Sequence, residues 1–321
     1  MVCVETEPIL SICCLTFNHA PYLRRALDGI IMQKVDFIYE VIIGDDFSTD
    51  DSRKIINEYN LKYPNIFKVI YREKNVGVRK NLEEVMGMAN GKYVILLETD
   101  DYWIDPLKLQ KQVDLLNSDP GIIAVTHPCK MVGAKDEPLP LEYPSIKKGF
   151  YSLKEYRKDI LPGQTATMMY RNYHKFNILD KSLTENPKRA KGPGDRRKMF
   201  MLASYGKIFA LPEEMSCYRF VKNQGSSFTA TNKFDFFNTI CYYKEFVDYA
   251  KKNRLNEDSI YTAEALYMRS LWIAFLHRQF QLVGLKKMIK EYIGINNKIK
   301  TTLFVVLFYF NELRNFFKKT A

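Results

Sequence analysis

A chain of 321 residues with 46% hydrophobic content is long enough to bury one large core with an appendage and too apolar for a disordered polymer. Its 48 basic and 37 acidic residues leave a net charge of +11, but no zinc-knuckle spacing, basic leucine zipper or RRM signature accompanies that excess, which sets nucleic-acid recognition aside. The six cysteines (Cys3, Cys13, Cys14, Cys129, Cys217, Cys241) form no CxxC pair or disulfide framework and read as reduced, buried thiols. With no basic region ahead of an N-terminal apolar run and no span of about 18 apolar residues, the expected compartment is the cytoplasm.

In chain order, residues 9–16 form an apolar, strand-length run, and 21–33 carry Leu23, Ala26, Leu27, Ile30 and Ile31 at helical spacing. The pattern repeats: strand 39–43, helix 50–59 entered through Ser48 and Thr49, strand 67–71, helix 79–89, strand 93–97, helix 106–116 and strand 122–126. Such alternation predicts an α/β fold with a mostly parallel, doubly wound sheet flanked by helices and ligands at the strand C-termini. Residues 128–144, rich in proline, glycine and charge, read as a loop or insertion. A second such stretch, 186–194, precedes a helix at 195–205, strands follow at 207–211 and 215–220, and the chain from 234 onward reads as helical and aromatic-rich.

Each early strand is followed by a polar cluster. The first is Thr16-Phe17-Asn18-His19, the second Gly44-Asp45-Asp46-Phe47-Ser48-Thr49-Asp50, and the third Asn75-Val76-Gly77-Val78-Arg79. Ser48, Thr49 and Asp50 suit a helix cap, which leaves Asp45 and Asp46 over; a buried aspartate can accept the imide hydrogen of a uracil base. Gly77 permits close backbone approach and Arg79 suits a phosphate or base, although this segment also fits a plain turn. The fourth cluster, Glu98-Thr99-Asp100-Asp101-Tyr102-Trp103, puts three carboxylates at the mouth of a buried strand, where a divalent cation and a diphosphate can meet; acidic capping of the next helix is the bland alternative. Two nucleotide signatures fail: the run from Gly87 to Tyr93 is one residue short of a phosphate-cradling loop, and Gly192-Pro193-Gly194 follows no strand. Asp195 opens a helix after that turn and suits an N-cap on local grounds.

The ordered segments SICCLTFNHAPYLRRAL, YEVIIGDDFSTDDS, NVGVRKN, GKYVILLETDDYWIDPLKLQKQV and GDRRKMFMLASYGKIFALPEEMSCYR resemble the inverting glycosyltransferases of family 2, which have the GT-A fold. The resemblance covers about residues 9–228. It implies a GT-A domain at 1–228, with a nucleotide-binding half at about 1–127 and an acceptor half at 128–228, and a helical extension at 229–321. Glu98-Thr99-Asp100 then stands at the family's DxD position, with Asp100 and Glu98 toward Mn2+ or Mg2+. Thr16, Asn18, Asp45, Asp46, Gly77, Arg79 and Thr99 line the nucleotide site, with His19 a further candidate in the first loop. Asp101 and Trp103 are candidates for contact with acceptor or donor sugar, and Asp195 for the base that deprotonates the acceptor hydroxyl. Many relatives carry a histidine after the position of Tyr218-Arg219. This chain reads Phe220-Val221-Lys222 instead, so Arg219 and Lys222 are the candidates for diphosphate contact.

The implied partners are a nucleotide-sugar donor, UDP-linked by the family's habit, and a glycan or lipid-linked acceptor in surface polysaccharide synthesis. A non-catalytic sugar-nucleotide binder or scaffold of the same fold, or a sugar nucleotidyltransferase, are the alternatives; the last lacks its glycine-rich triphosphate loop. In the tail, Ile299, Leu303, Val306, Phe310, Leu313 and Phe317 recur at helical spacing, and +6 of the net charge lies from Lys286 onward. This pattern fits a helix lying peripherally on the inner face of the cytoplasmic membrane, and equally one packed on the domain or on a second subunit.

Overall fold

The computed structural model describes residues 7–143, 145–221, 235–279 and 281–320, the last ten of these as helical backbone only. The chain divides into two compact units. The first comprises Met1–Ser152, Ile160–Leu179 and Tyr205–Asn223; the second comprises Leu153–Asp159, Asp180–Ser204 and Gln224–Ala321.

The first unit opens with β1 (Leu10–Thr16), α1 (Ala20–Ile31), β2 (Tyr39–Asp45), α2 (Ser52–Lys62), β3 (Phe67–Tyr71), α3 (Val78–Gly87) and β4 (Tyr93–Glu98). It continues with β5 (Tyr102–Trp103), α4 (Lys108–Ser118), β6 (Ile122–Thr126), β7 (Cys129–Val132), β8 (Gly149–Tyr151), β9 (Met169–Arg171), β10 (Lys207–Ala210) and β11 (Ser216–Arg219). Eight strands form one sheet in the order β3-β2-β1-β4-β9-β6-β10-β8; β5, β11 and β7 form a second. β1 is buried along its whole length because it lies between β2 and β4, parallel to both. That placement explains a run apolar on both faces rather than alternating. α1 starts with Pro21 in its first turn, where a missing N–H is harmless, and buries Leu23, Ala26, Leu27 and Ile30 on one face. Leu23, Leu27 and Ile30 each contribute about 1.5–3 kcal/mol by leaving water, and the Ala26 methyl about 0.8 kcal/mol.

The predicted strands and helices of the first 126 residues are present with ends shifted by a few residues, as helix caps and strand mouths generally are. Two features differ from expectation. Residues 128–144 are not wholly loop: β7 lies there and pairs in parallel with β11. β9 is inserted antiparallel between β4 and β6, and its three residues are too few to show any period.

The second unit contains α5 (Leu153–Arg157), α6 (Ser182–Glu185), α7 (Gly194–Tyr205), α8 (Phe236–Lys252), α9 (Glu257–Leu276), α10 (Leu285–Ile293) and α11 (Lys298–Thr320). In this unit 153–159 and 180–204 pack with the C-terminal helices. Ion pairs tie them together: Arg157 meets Asp258 at 2.8 Å, Arg196 and Arg269 share Asp159, and the fully buried Arg197 pairs with Glu245. Phe200 and Phe246, with ring centroids 4.9 Å apart, mark the aromatic core. Of the cysteines, Cys13, Cys14, Cys129, Cys217 and Cys241 are free thiols, and Cys3 lies outside the described residues. Among the described residues no helix is long and apolar enough to cross a membrane.

Candidate active site

Strand register brings the sequence clusters together. Thr16 at the end of β1 pairs with Asp45 at the end of β2, and Leu15 pairs with Glu98 at the end of β4, so three polar clusters emerge side by side at one sheet edge. Backbone bonds then lock the loops: Asp46 N donates to Thr16 O (2.9 Å) and Thr99 N to Leu15 O (3.1 Å). The third cluster joins through Asp46, whose carboxylate accepts from Val76 N at 2.7 Å and Gly77 N at 2.9 Å. Gly77 has φ +85°, a conformation glycine adopts without steric cost.

Within this frame several candidates act as supports. Asn18 Oδ1 accepts from Thr49 N (2.8 Å), which ties the first loop to the second. Asp45 is fully buried and accepts from Arg53 Nε at 2.6 Å, and the Arg53 guanidinium lies 5.6 Å from the Phe47 ring centroid and 5.4 Å from that of Tyr71. Thr99 Oγ1 lies 2.9 Å from both Thr16 Oγ1 and His19 Nδ1 and donates to Leu15 O at 3.1 Å. His19 thus belongs to the cluster; burial lowers its pKa, and the charges of Asp100 and Asp50 only partly offset that, which favours neutral imidazole. Arg79 lies on the partly exposed first turn of α3 with Nε 2.9 Å from Glu83.

Glu98, Asp100 and Asp101 form the acidic centre, with one carboxylate oxygen from each lying within 4.8 Å of the others. Asp101 is buried, and its two oxygens accept from Arg219 N and Gln164 Nε2, each at 2.8 Å. Burial, and then the negative charges of Asp100 and Glu98, push the Asp101 carboxyl well above the usual carboxylate range. Asp100 and Glu98 are half-buried, at the rim. A crowded set of hard oxygen donors is of the kind that can hold a divalent cation, and Glu98, Asp100 and Asp101 are the residues that could supply it.

Two expectations are corrected. Trp103 is not presented to a ligand: it is buried in the core, its Nε1 donates to Ala166 O at 3.1 Å, and Lys108 Nζ lies 4.3 Å from its ring centroid. Arg219 is not available to a diphosphate, because its buried guanidinium is committed to Asp100 O (2.9 Å), Gly133 O (2.6 Å) and Asp136 Oδ1 (2.5 Å). Lys222 lies outside the described residues. Asp195 belongs to the second unit, in the first turn of α7, and its Oδ1 accepts from Arg196 N at 2.8 Å. Arg53, Gln164 and Asp136 are supports that sequence reading missed; Arg53 reaches Asp45 across eight residues, whereas Gln164 and Asp136 act through contacts 63 and 83 positions apart, and none has a local pattern to announce it.

Residues 11–177 match the family model described as glycosyl transferase family 2. The chain belongs to that family. An uncharacterised Mycobacterium tuberculosis protein is 36% identical over 221 residues, 65% of this chain and 58% of its own length, so the chain spans little more than half of that relative. A Bacillus subtilis glycosyltransferase named for teichuronic acid biosynthesis, TuaG, is 31% identical over 34% of this chain and 42% of its own. The crystal structure of residues 1–349 of S. aureus TarS superposes with a TM-score of 0.59 at 18% identity, covering 92% of this chain and 80% of that one. The chain therefore has the GT-A fold, a mostly parallel α/β sheet flanked by helices.

Proposed function

We propose that this glycosyltransferase moves a sugar from a UDP-linked donor to a hydroxyl of a glycan or lipid-linked acceptor in surface polysaccharide synthesis, with inversion at the anomeric carbon. The observation that carries the reading is the strand register that sets Thr16, Asp45 and Glu98 at one edge, with the acidic turn of Asp100 beside them. The names of relatives such as TuaG support the polymer class. In this reading Asp45, oriented by Arg53, faces the base edge, and the Thr16, Asn18 and Gly77 loops enclose the nucleoside. Glu98 and Asp100 would hold Mn2+ or Mg2+, which when bound supplies positive charge to a diphosphate leaving group. Asp195 removes the acceptor hydroxyl proton as that oxygen bonds to the anomeric carbon; the bond to the diphosphate oxygen breaks on the opposite face. Lys222 remains the proposed replacement for the absent histidine, GT-A boundaries of 1–228 remain the proposed catalytic region, and homo-oligomers are compatible with it.

Calorimetric titration of the full chain with UDP, GDP and NAD, each with and without Mn2+, tests the donor. UDP binding strengthened by Mn2+ and abolished by Asp100→Asn is the expected result; equal binding without metal, or preference for GDP, overturns the donor assignment. Hydrolysis of UDP-sugars by the same sample separates an enzyme from a pure binder.

A further inference from the structure

Within the second unit, the helices α10 and α11 carry apolar faces that no part of the described unit covers. On α10, Leu285, Ile289, Tyr292 and Ile293 recur at positions i, i+4, i+7 and i+8, which places them on one face, and Leu285 and Ile293 are 63% and 66% exposed. Met288, to one side of that face, is buried and anchors the helix. On α11 the arrangement repeats. Thr301 is buried and Phe308 lies against Arg269 of α9, whereas Ile299, Leu303, Val306, Leu307 and Phe310 point away from that contact, with Ile299 85% and Phe310 61% exposed. Tyr292 Oη and Thr302 Oγ1 meet at 3.0 Å, so the end of α10 touches the first turns of α11.

Charge around these faces has one sign. Lys286, Lys287 and Lys290 on α10 and Lys298 and Lys300 on α11 are all exposed, against Glu291 alone within the described side chains of the two helices. Lys300 also meets Glu257 at 3.0 Å. We propose that α10 and α11 together form a docking surface for an anionic lipid bilayer. The apolar stripes enter the acyl boundary, and the lysines, whose methylene stems can lie along the apolar surface, keep their ammonium groups at the headgroups. Charge selects this occupant over a second copy of the chain: an isologous pairing of these faces would bring two sets of lysines together, whereas an anionic headgroup layer complements them. Among the described residues neither helix is long and apolar enough to cross a bilayer, and in this proposal both lie in its plane.

The test is flotation of the full chain with vesicles of phosphatidylcholine alone or containing phosphatidylglycerol, at low and high salt. Binding is expected only to the anionic vesicles and weaker in high salt. Replacing Lys286 and Lys290 with Gln should weaken it by roughly 30-fold, from about 1 kcal/mol per lysine near the surface. Ile289→Asp and Leu303→Asp alter exposed positions and should abolish flotation while leaving the circular dichroism spectrum and UDP affinity unchanged. Absence of flotation with anionic vesicles, equal binding to neutral ones, or unimpaired flotation of both aspartate variants overturns the proposal. So does light scattering that shows a dimer dissociated by Leu303→Asp. UDP affinity is measured on the same samples, so failure of the lipid surface is distinguishable from failure of the donor reading.

Discussion

Arg219 is the residue on which the acidic turn depends mechanically, and Arg219→Met tests this. Methionine fills much of the arginine volume but removes the donors to Asp100 O, Gly133 O and Asp136, and with them the cation lying 4.2 Å from the Tyr22 ring centroid. Asp100 O loses this donor, Gly133 O keeps only Asp136 N at 3.2 Å, and Asp136 keeps only Arg25 among its two arginine partners. Removing one partner of a buried ion pair costs about 3–5 kcal/mol. Because Asp136 is partly exposed, the lower end applies, and about 3 kcal/mol corresponds to a fall in Tm on the order of 10 °C. Scanning calorimetry at neutral pH measures this, and titration with UDP should show affinity down about fivefold, the worth of one tether lost from the Asp100 backbone. The pH dependence has a definite sign. Burial raises the Asp136 carboxyl, but hydrogen bonds and charge from Arg219, with charge from Arg25, outweigh it and the net shift is downward. Its stabilisation is thus complete above the unfolded value near pH 4 and disappears as pH falls through the lower folded value, so the gap between parent and variant should narrow on acidification. A Tm fall under about 2 °C, or a gap that widens in acid, would refute the reasoning.

Asp195→Asn should leave UDP affinity within about twofold while transfer falls by about 100- to 10,000-fold, measured as product formation at saturating donor; near-normal transfer removes Asp195 as the base. Gly91→Ala should destabilise the first unit by about 1–3 kcal/mol in urea denaturation, because the new Cβ would lie 2.6 Å from Ser11 N and 2.7 Å from Leu10 C, and backbone cannot rotate away as a side chain can. An unchanged denaturation midpoint would show that β1 yields at that point.

The clusters after β1, β2 and β4 were legible because apolar runs ended abruptly in polar residues, and parallel register then aligned the ends. Register also explains what Gly91 does: its segment fails as a phosphate loop, and the glycine instead lets the chain pass tightly beside Leu10 and Ser11. Roles set by contacts across long sequence separations were not legible. Arg219 and Asp100 are 119 positions apart, and Gln164 and Asp101 are 63 apart. Trp103 reads as a sugar platform from its place beside an acidic run, but the two-residue strand β5 sends its ring into the core. The division between units was hidden for the same reason, since Arg157, Asp159 and Arg197 find their partners in helices beyond residue 240.

The antiparallel insertion of β9 has a consequence for synthesis on the ribosome. β4 and β6 occur early in the chain, yet each takes β9 as its neighbour, and β10 comes later still to cover the other side of β6. Until residue 171 has emerged, a nascent chain that has completed β1 to β4 carries an unpaired, apolar strand edge at β4. Such edges recruit other chains. At about 5–20 residues per second, the roughly 75 residues between the end of β4 and the end of β9 take about 4–15 s to appear. Over that interval strands β1 to β4 depend on shielding from outside the chain, and a fragment ending near residue 127 would keep that edge open permanently.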